Sequence, residues 1–474
     1  MRRRQLLRGA LLWPWAAAPA GAASAAAGAA FDTADLRHAE LLRDRGLADP
    51  QAWSLLEQLV LGIGSRPAGS QADARAVAWA RQACRRLGLQ QVRADAIPLR
   101  IWQRGPAAAR LLGPEPRELV MAALGNSVAT PAGGLEAEVA WYPDLAALKA
   151  DGDRPANSRA HGRIVFIDQR TERTRDGSGY GRAVGARMAG PAEAARRGAL
   201  ALAIRSIGTD AEPIAHTGAT RYDAELPRIP AFAVSAPDAD HVARRQAAGA
   251  TLRMGVELEA RSDVQAVTHN VIAELPGREL APEIVVLGAH LDTWDLGPGA
   301  LDDGAGVAIM LAAAGLIAAA GRAPRRTVRV VLFGNEENGF DGARDYGRRY
   351  AGETHQLVAE SDFGAGRVWR LSSRVQPPAL PLVAQMAGVL APLGVEAGGN
   401  EGWPGPDAAW LMRQQRWPAL QLHQDGSNYF DVHHTEQDTL DKVDPEALRQ
   451  NVACWAASAW LAAQSPLPFG PPAL

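Results

Sequence analysis

In the C-terminal half of the chain, three apolar runs each end in a charged cluster. Ile284–Ala289 runs into His290 and Asp292, Thr327–Phe333 into Glu336 and Glu337, and Gln356–Ala359 into Asp362. Two more clusters stand beside predicted helices: Asp302 and Asp303 before a long apolar segment, and His433 and His434 in a loop before the last helix. Two divalent ions held by nitrogen and oxygen need about one His and one carboxylate each, a carboxylate shared between them and a bridging water. That inventory is met without cysteine. It suits zinc and leaves manganese and cobalt open. Two ions about 3.5–4 Å apart polarise a scissile carbonyl and generate hydroxide near neutral pH, and a free carboxylate must then accept and redeliver the proton. Glu336 and Glu337, adjacent at a predicted strand end and so pointing in different directions, divide ligand and base between them. Each motif alone has a plainer reading: a satisfied core histidine, a helix N-cap for Asp-Asp, a solvated surface pair for Glu-Glu, a surface loop for His-His. Their joint occurrence, in order, at strand ends of one domain is what points to a metal site.

Such convergence needs parallel strands, because ligands in open α/β sheets bind beyond the carboxyl ends. The pattern from Asn270 onward supplies them. Strands are expected at Val271–Leu275, Ile284–Ala289, Thr327–Phe333 and Gln356–Ala359, with helices over Gly304–Ala320 and Gly342–Tyr350 between them. Asp444 as N-cap and Pro445 in the first turn open a last helix reaching about Ala463. The expected fold class is α/β, a mostly parallel mixed sheet sandwiched by helices. Upstream, helices are expected over Asp35–Arg45, Pro50–Gly62 and Gln71–Leu87, and a strand over Val92–Trp102. From about Leu111 to Val267 short apolar runs such as Ile164–Ile167 and Ile229–Val234 alternate with small-residue helices, as in a separate folding unit. Arg170–Arg182, rich in charge and Gly-flanked turns, reads as a loop or flexible surface excursion. The expected division is a leader over 1–30, a first part of the main domain over 31–110, an inserted unit over 111–267, and the remainder over 268–474.

Arg2-Arg3-Arg4, the apolar run Ala10–Ala18 and the Ala/Gly/Ser stretch to Ala30 read as an export signal. Arg3-Arg4-Gln5-Leu6-Leu7 resembles the twin-arginine motif of proteins exported folded, which implies a periplasmic or secreted location. A membrane anchor needs ~18 or more apolar residues, and this stretch is shorter and broken by Pro14. No stable membrane span is expected once the leader is removed. Val307–Ala320 suits a buried helix. With 50 basic against 52 acidic residues and 22% charged overall, there is no electrostatic case for a nucleic-acid partner. Only Cys84 and Cys454 are present, so a Cys-rich metal module is excluded; one disulfide and two buried free thiols both remain open.

Gly288-Ala289-His290-Leu291-Asp292-Thr293-Trp294-Asp295, Gly299-Ala300-Leu301-Asp302-Asp303-Gly304-Ala305-Gly306, Asn335-Glu336-Glu337, Glu360-Ser361-Asp362 and His434-Thr435-Glu436-Gln437-Asp438-Thr439 together resemble the co-catalytic zinc exopeptidases that include aminopeptidase Y and glutamate carboxypeptidase. The likeness is strongest to the carboxypeptidase Q branch. It extends through Arg205-Ser206-Ile207-Gly208-Thr209 and His216-Thr217-Gly218, in a middle stretch that resembles an inserted protease-associated domain. The resemblance implies two Zn2+ per chain, with His290 and Asp362 on one ion, Glu337 and His434 on the other, Asp302 bridging, Glu336 as general base and Asp292 orienting a ligand. Asp302 rather than Asp303 is implied because the family's bridging Asp stands four residues before the Gly that is here Gly306. His434 rather than His433 is implied because it stands four residues before Asp438. Many family aminopeptidases carry Asp-His where this chain has Asp407-Ala408, so substrate contacts transfer less well than ligands. Tyr429 is a candidate hydrogen-bond donor to the transition state or an aromatic packing residue. The activity implied is an exported exopeptidase acting on dipeptides or short peptides, and a homodimer is implied with it. An aminopeptidase for longer peptides is the nearest alternative. A glutaminyl cyclase with one zinc fits the full ligand set poorly, and a receptor-like homologue would lack ligands that are present here.

Overall fold

The computed structural model describes residues 29–472. The expected leader and its cleavage region therefore lie outside the described residues, apart from Ala29 and Ala30.

The opening helices follow their caps. Asp32 accepts the Ala34 N–H to start Thr33–Ala48, and Ser70 accepts the Asp73 N–H to start Gln71–Arg86. Gln51–Gly62 lies between them. The main sheet centres on Leu280–His290, flanked in parallel by Arg326–Phe333 and Thr354–Glu360. Beyond Thr354–Glu360 lie Ala419–Gln424 in parallel and Val368–Arg374 antiparallel. On the other side Arg253–Leu275 pairs antiparallel with Arg326–Phe333. The centre strand is buried on both faces. Val285, Leu287 and Ala289 enter one apolar cluster with the helices Ala305–Ala319 and Pro445–Gln464, while Ile284 and Val286 enter a second with Phe333, Tyr346 and Trp417. The helix Ala305–Ala319 with its preceding turn is long and apolar enough to cross a membrane by composition, but that stretch is 94% buried in the core. Cys84 and Cys454 are both free and buried.

Two strands exceed expectation. Gln90–Leu112 and Arg253–Leu275 form an antiparallel ribbon that runs unbroken from the main sheet into the middle of the chain. Both expected boundaries, near residues 110 and 267, thus fall within continuous strands. The ribbon persists through Gly105 because bulges absorb the irregular registers near Ile101–Gln103 and Arg104–Ala107. Beyond it, Leu135–Tyr142, Ile164–Ile167, Ala201–Arg205 and Ala231–Val234 form a parallel sheet with its own apolar cluster on each face. Arg170–Arg182 is not a free excursion. Its end folds into the helix Ser178–Ala183, Arg173 pairs with Asp431 at 2.8 Å, and the Gly426 N–H donates to Arg175 O at 2.9 Å. Half-buried acids, Asp425 and Asp431, and donors in the 425–431 loop outweigh the segment's polar composition.

His355, only 6% exposed, stacks on Trp417 with ring centroids 3.5 Å apart and meets the Tyr346 hydroxyl at 2.9 Å. Burial, with Arg329 acting the same way, pushes its imidazole down to about 3. The unfolded chain binds this proton below the usual value of 6.5 whereas the folded chain does not, so stability present above 6.5 is lost as pH falls toward 3. The loss approaches about 1.4 kcal/mol per pH unit inside that window. Urea unfolding at pH 7 and pH 5 is expected to show a smaller acid loss for His355→Leu than for the unaltered chain, and equal losses would contradict this account.

Candidate metal centre

Strand register brings the clusters to one end of the sheet. His290 pairs with Phe333 and Gly288 with Glu360, so the three central strands finish level and hand the chain to Asp292, Glu336 and Asp362 together. Glu336 and Glu337 do not lie at a strand end as expected. Asn335 adopts a left-handed conformation (φ 63°) that stops the strand, and the two acids open the short helix Glu336–Gly339. They diverge because neighbouring helical residues point about 100° apart. Asp302 and Asp303 occupy an irregular turn, Ala300–Gly304, joined by a cis peptide bond just before the helix Ala305–Ala319.

The five expected metal ligands converge. His290 Nε2 lies 3.1 Å from Asp302 Oδ1 and 3.6 Å from Asp362 Oδ1. His434 Nε2 lies 3.2 Å from Asp302 Oδ2 and 3.1 Å from Glu337 Oε2. Asp302 thus offers a different oxygen to each histidine, the placement of a bridging ligand. Asp303 could also be grouped with His290 and Asp362 as a metal-ligand set, but its oxygens are taken by the His290 N–H at 3.0 Å and the Gly306 N–H at 3.1 Å. It is scaffold, and a Cβ on Gly306 would lie 2.2 Å from it. His433 reaches Asp302 Oδ2 at 3.4 Å and stacks on His434, with ring centroids 3.5 Å apart. Only His434 also meets Glu337. Glu336 belongs to none of the candidate metal-ligand groups; its carboxylate borders the cleft.

Buried acceptors around the cluster lack protein donors: Asp302 Oδ2, Glu337 Oε1 and Asp292 Oδ2 have no hydrogen-bond partner among the described residues. Cations satisfy such atoms where the protein does not. The electrostatics agree. Although burial opposes it, Asp362, Asp292 and Asp302 hold the His290 imidazole well above its usual value, and against the same opposition Glu337 and Asp302 raise His434 to about 9. Burial lifts Glu337 to about 7 and Glu336 well above the usual carboxylate range, with Asp362 and Glu337 adding to the latter. A group of acids that draws protons this strongly onto neighbouring imidazoles also draws divalent cations. The residues present therefore fit a pair of zinc-like ions.

The outer contacts contain residues that motif reading did not select. Asp292, expected to orient a ligand, meets His290 Nδ1 with its backbone oxygen at 3.0 Å, while its carboxylate accepts the Glu336 N–H at 3.0 Å. Asp438, read only as a register mark, accepts the Leu301 N–H at 2.7 Å and the Asp302 N–H at 3.0 Å and so holds the turn that carries Asp302. Arg66 is fully buried and donates to Leu291 O and Pro298 O, both at 2.6 Å, which fixes the loop between the His290 and Asp302 motifs. Asp407 sits beneath the site with both carboxylate oxygens unpartnered among the described residues; burial raises it well above its usual range, and Asp292 and Asp362 add to the effect.

Above the cluster lies a cleft of about 860 Å³. It is lined by Phe340, Phe363 and Trp403 and, from the middle stretch, by Tyr180, Arg187 and Met188. Tyr429 is 6% exposed, borders the cleft and contacts the ring of His433, with centroids 5.0 Å apart.

Residues 270–459 match the model of peptidase family M28. Carboxypeptidase Q from Bos taurus is 31% identical over 420 residues, spanning 88% of this chain and 86% of that protein, and carboxypeptidase Q from Homo sapiens is 30% identical over the same shares. The crystal structure of a peptidase M28 precursor from Shewanella amazonensis SB2B superposes with a TM-score of 0.90 at 42% identity, covering 93% of this chain and 99% of that one. BSAP, a zinc aminopeptidase from Bacillus subtilis, shares the fold at TM-score 0.62 and 18% identity, covering 89% of this chain and 97% of that one. Likeness of this extent, in sequence and in structure, places the chain in peptidase family M28.

Proposed function

We propose that this chain is an exported di-zinc exopeptidase that hydrolyses dipeptides or short peptides. The observation that carries the reading is Asp302, which faces His290 with one oxygen and His434 with the other at the floor of the cleft. His290 and Asp362 would hold one ion, His434 and Glu337 the second, with Asp302 between them. Two zinc ions, when bound there, supply Lewis acidity at the scissile carbonyl and lower the pKa of water toward neutrality. The chain's own residues do the rest. Glu336 takes the proton of the attacking water on its carboxylate and returns it to the leaving nitrogen, its basicity raised by burial. Asp292 fixes the Glu336 backbone and the His290 ring together. Tyr429 donates its hydroxyl proton to the carbonyl oxygen as charge develops there. In this reading residues 111–267 are an inserted protease-associated-type domain that closes the far wall of the cleft, short peptides are the substrate, and export and a homodimer rest on the leader and the family resemblance.

The test is hydrolysis of free dipeptides, their amino-blocked forms and their carboxyl-amidated forms. Cleavage of free dipeptides is expected, abolished by chelator and restored by zinc. Loss on amidation marks a carboxypeptidase, loss on amino blocking an aminopeptidase, and loss on both a dipeptidase. A zinc-loaded chain that cleaves none of them overturns the proposal.

A further inference from the structure

The two metal-facing histidines are oriented by different parts of the molecule. His290 Nδ1 meets Asp292 O at 3.0 Å, two residues away on its own strand loop. His434 Nδ1 meets Thr217 O at 3.2 Å, 217 residues away in the middle stretch. The Thr217 N–H in turn donates to His434 O at 3.1 Å, so one residue grips the ring and the backbone of the other. Beside it His216 Nδ1 meets His433 O at 2.7 Å, and His216 Nε2 meets Asp210 Oδ2 at 2.7 Å. His216 is 1% exposed and Thr217 fully buried. Both are braced from behind: the His216 N–H donates to Ser206 Oγ at 3.0 Å, and Thr217 Oγ1 donates to Ala123 O at 2.8 Å while accepting from Arg104 at 2.9 Å. Arg187 adds a third contact, donating to Thr217 O at 3.3 Å.

A carbonyl that accepts the Nδ1 proton fixes the tautomer in which Nε2 is free for a cation, and it fixes the plane of the ring. His434 needs both constraints, because its own backbone sits in the left-handed region (φ 62°) in an irregular turn. Within its own segment His433 stacks on the ring, but among the described residues none there accepts from Nδ1.

We propose that the middle stretch is a structural part of the metal centre, with His216 and Thr217 as positioning residues that set His434 and thereby the affinity of the ion shared with Glu337. This rests on the two-zinc reading above. The ion at His290 and Asp362 is independent of it, because its outer contact comes from Asp292.

The experiment is a zinc titration of the folded, metal-depleted full chain against a chromogenic chelator. Wild type is compared with His216→Ala, His216→Asn and Thr217→Val, with metal-free thermal unfolding of each recorded alongside. His216→Ala is expected to weaken one of two zinc equivalents by about 10–100-fold and leave the other unchanged. At saturating zinc its KM should match wild type. His216→Asn, whose amide nitrogen replaces Nδ1 as donor to His433 O, should recover most of the lost affinity. Thr217→Val removes only the brace to Ala123 and Arg104 and should weaken the same equivalent less. Two zinc equivalents held as tightly in folded His216→Ala and Thr217→Val as in wild type would overturn the inference, as would equal weakening of both. A wild-type chain that takes up no zinc would sink the proposed function and this inference with it.

Discussion

Glu336→Gln is expected to lower kcat for peptide hydrolysis by about 10²–10⁴-fold, the range for loss of a positioned general base, while zinc content and KM stay close to those of the unaltered chain. The side chain borders the cleft and belongs to none of the candidate metal-ligand groups. Gln keeps the shape of Glu, and the anchor of this residue is its backbone N–H to Asp292 at 3.0 Å, which the substitution does not touch. What it removes is the capacity to take a proton. Glu337→Gln should behave oppositely. Its Oε2 lies 3.1 Å from His434 Nε2 and its Oε1 is buried without a protein donor, so that variant should lose one zinc equivalent. Zinc analysis beside steady-state kinetics separates the two. If Glu336→Gln loses zinc and Glu337→Gln keeps it, the assigned roles are reversed.

The sequence made the cluster legible because each ligand sits where a local pattern changes. An apolar run stops at His290, at Glu336 and at Asp362, and parallel pairing with level ends then obliges those positions to meet. The residues that hold the ligands left no such mark. Arg66 bonds Leu291 O across 225 residues, and an arginine after a Gly-Ser turn reads as solvated until the loop it supports is known. Asp438 was visible only as a register mark because its partners are backbone N–H groups, which any sequence supplies. The strands Val368–Arg374 and Ala419–Gln424 escaped notice for a related reason. They pair antiparallel near the sheet edge and break their apolar residues with polar ones, Arg370, Ser372 and Ser373 in the first and Gln421 and His423 in the second, so neither carries the continuous apolar run of the central strands. Charge was a poor guide to order in Arg170–Arg182, where Arg173 and Arg175 find their acids in the 425–431 loop.

The adjacent acids Asp302 and Asp303 offer the sharpest separation of metal binding from folding. Asp302→Asn is read by its response to zinc rather than by its metal-free melting temperature, which should fall somewhat because the substitution removes the anion that the His290 and His434 imidazoles face. The rise in melting temperature on adding zinc should largely disappear. Binding to the native state alone stabilises by RT ln(1 + [L]/Kd), about 4 kcal/mol at a thousandfold excess over Kd, and that increment is lost when the bridging charge is gone. Hydrolysis should fall below detection, since in the proposed reading this carboxylate serves both ions. Asp303→Asn should keep the rise on adding zinc. Its two oxygens accept the His290 and Gly306 N–H groups, and an amide can serve only one of them without presenting a donor to the other. The metal-free chain should therefore melt earlier, by the equivalent of about 1–3 kcal/mol for a buried donor left unsatisfied, yet still gain stability from zinc. Differential scanning of both variants with and without zinc reads all four values. A zinc-dependent rise that survives in Asp302→Asn and vanishes in Asp303→Asn would move the bridging role one residue along the chain.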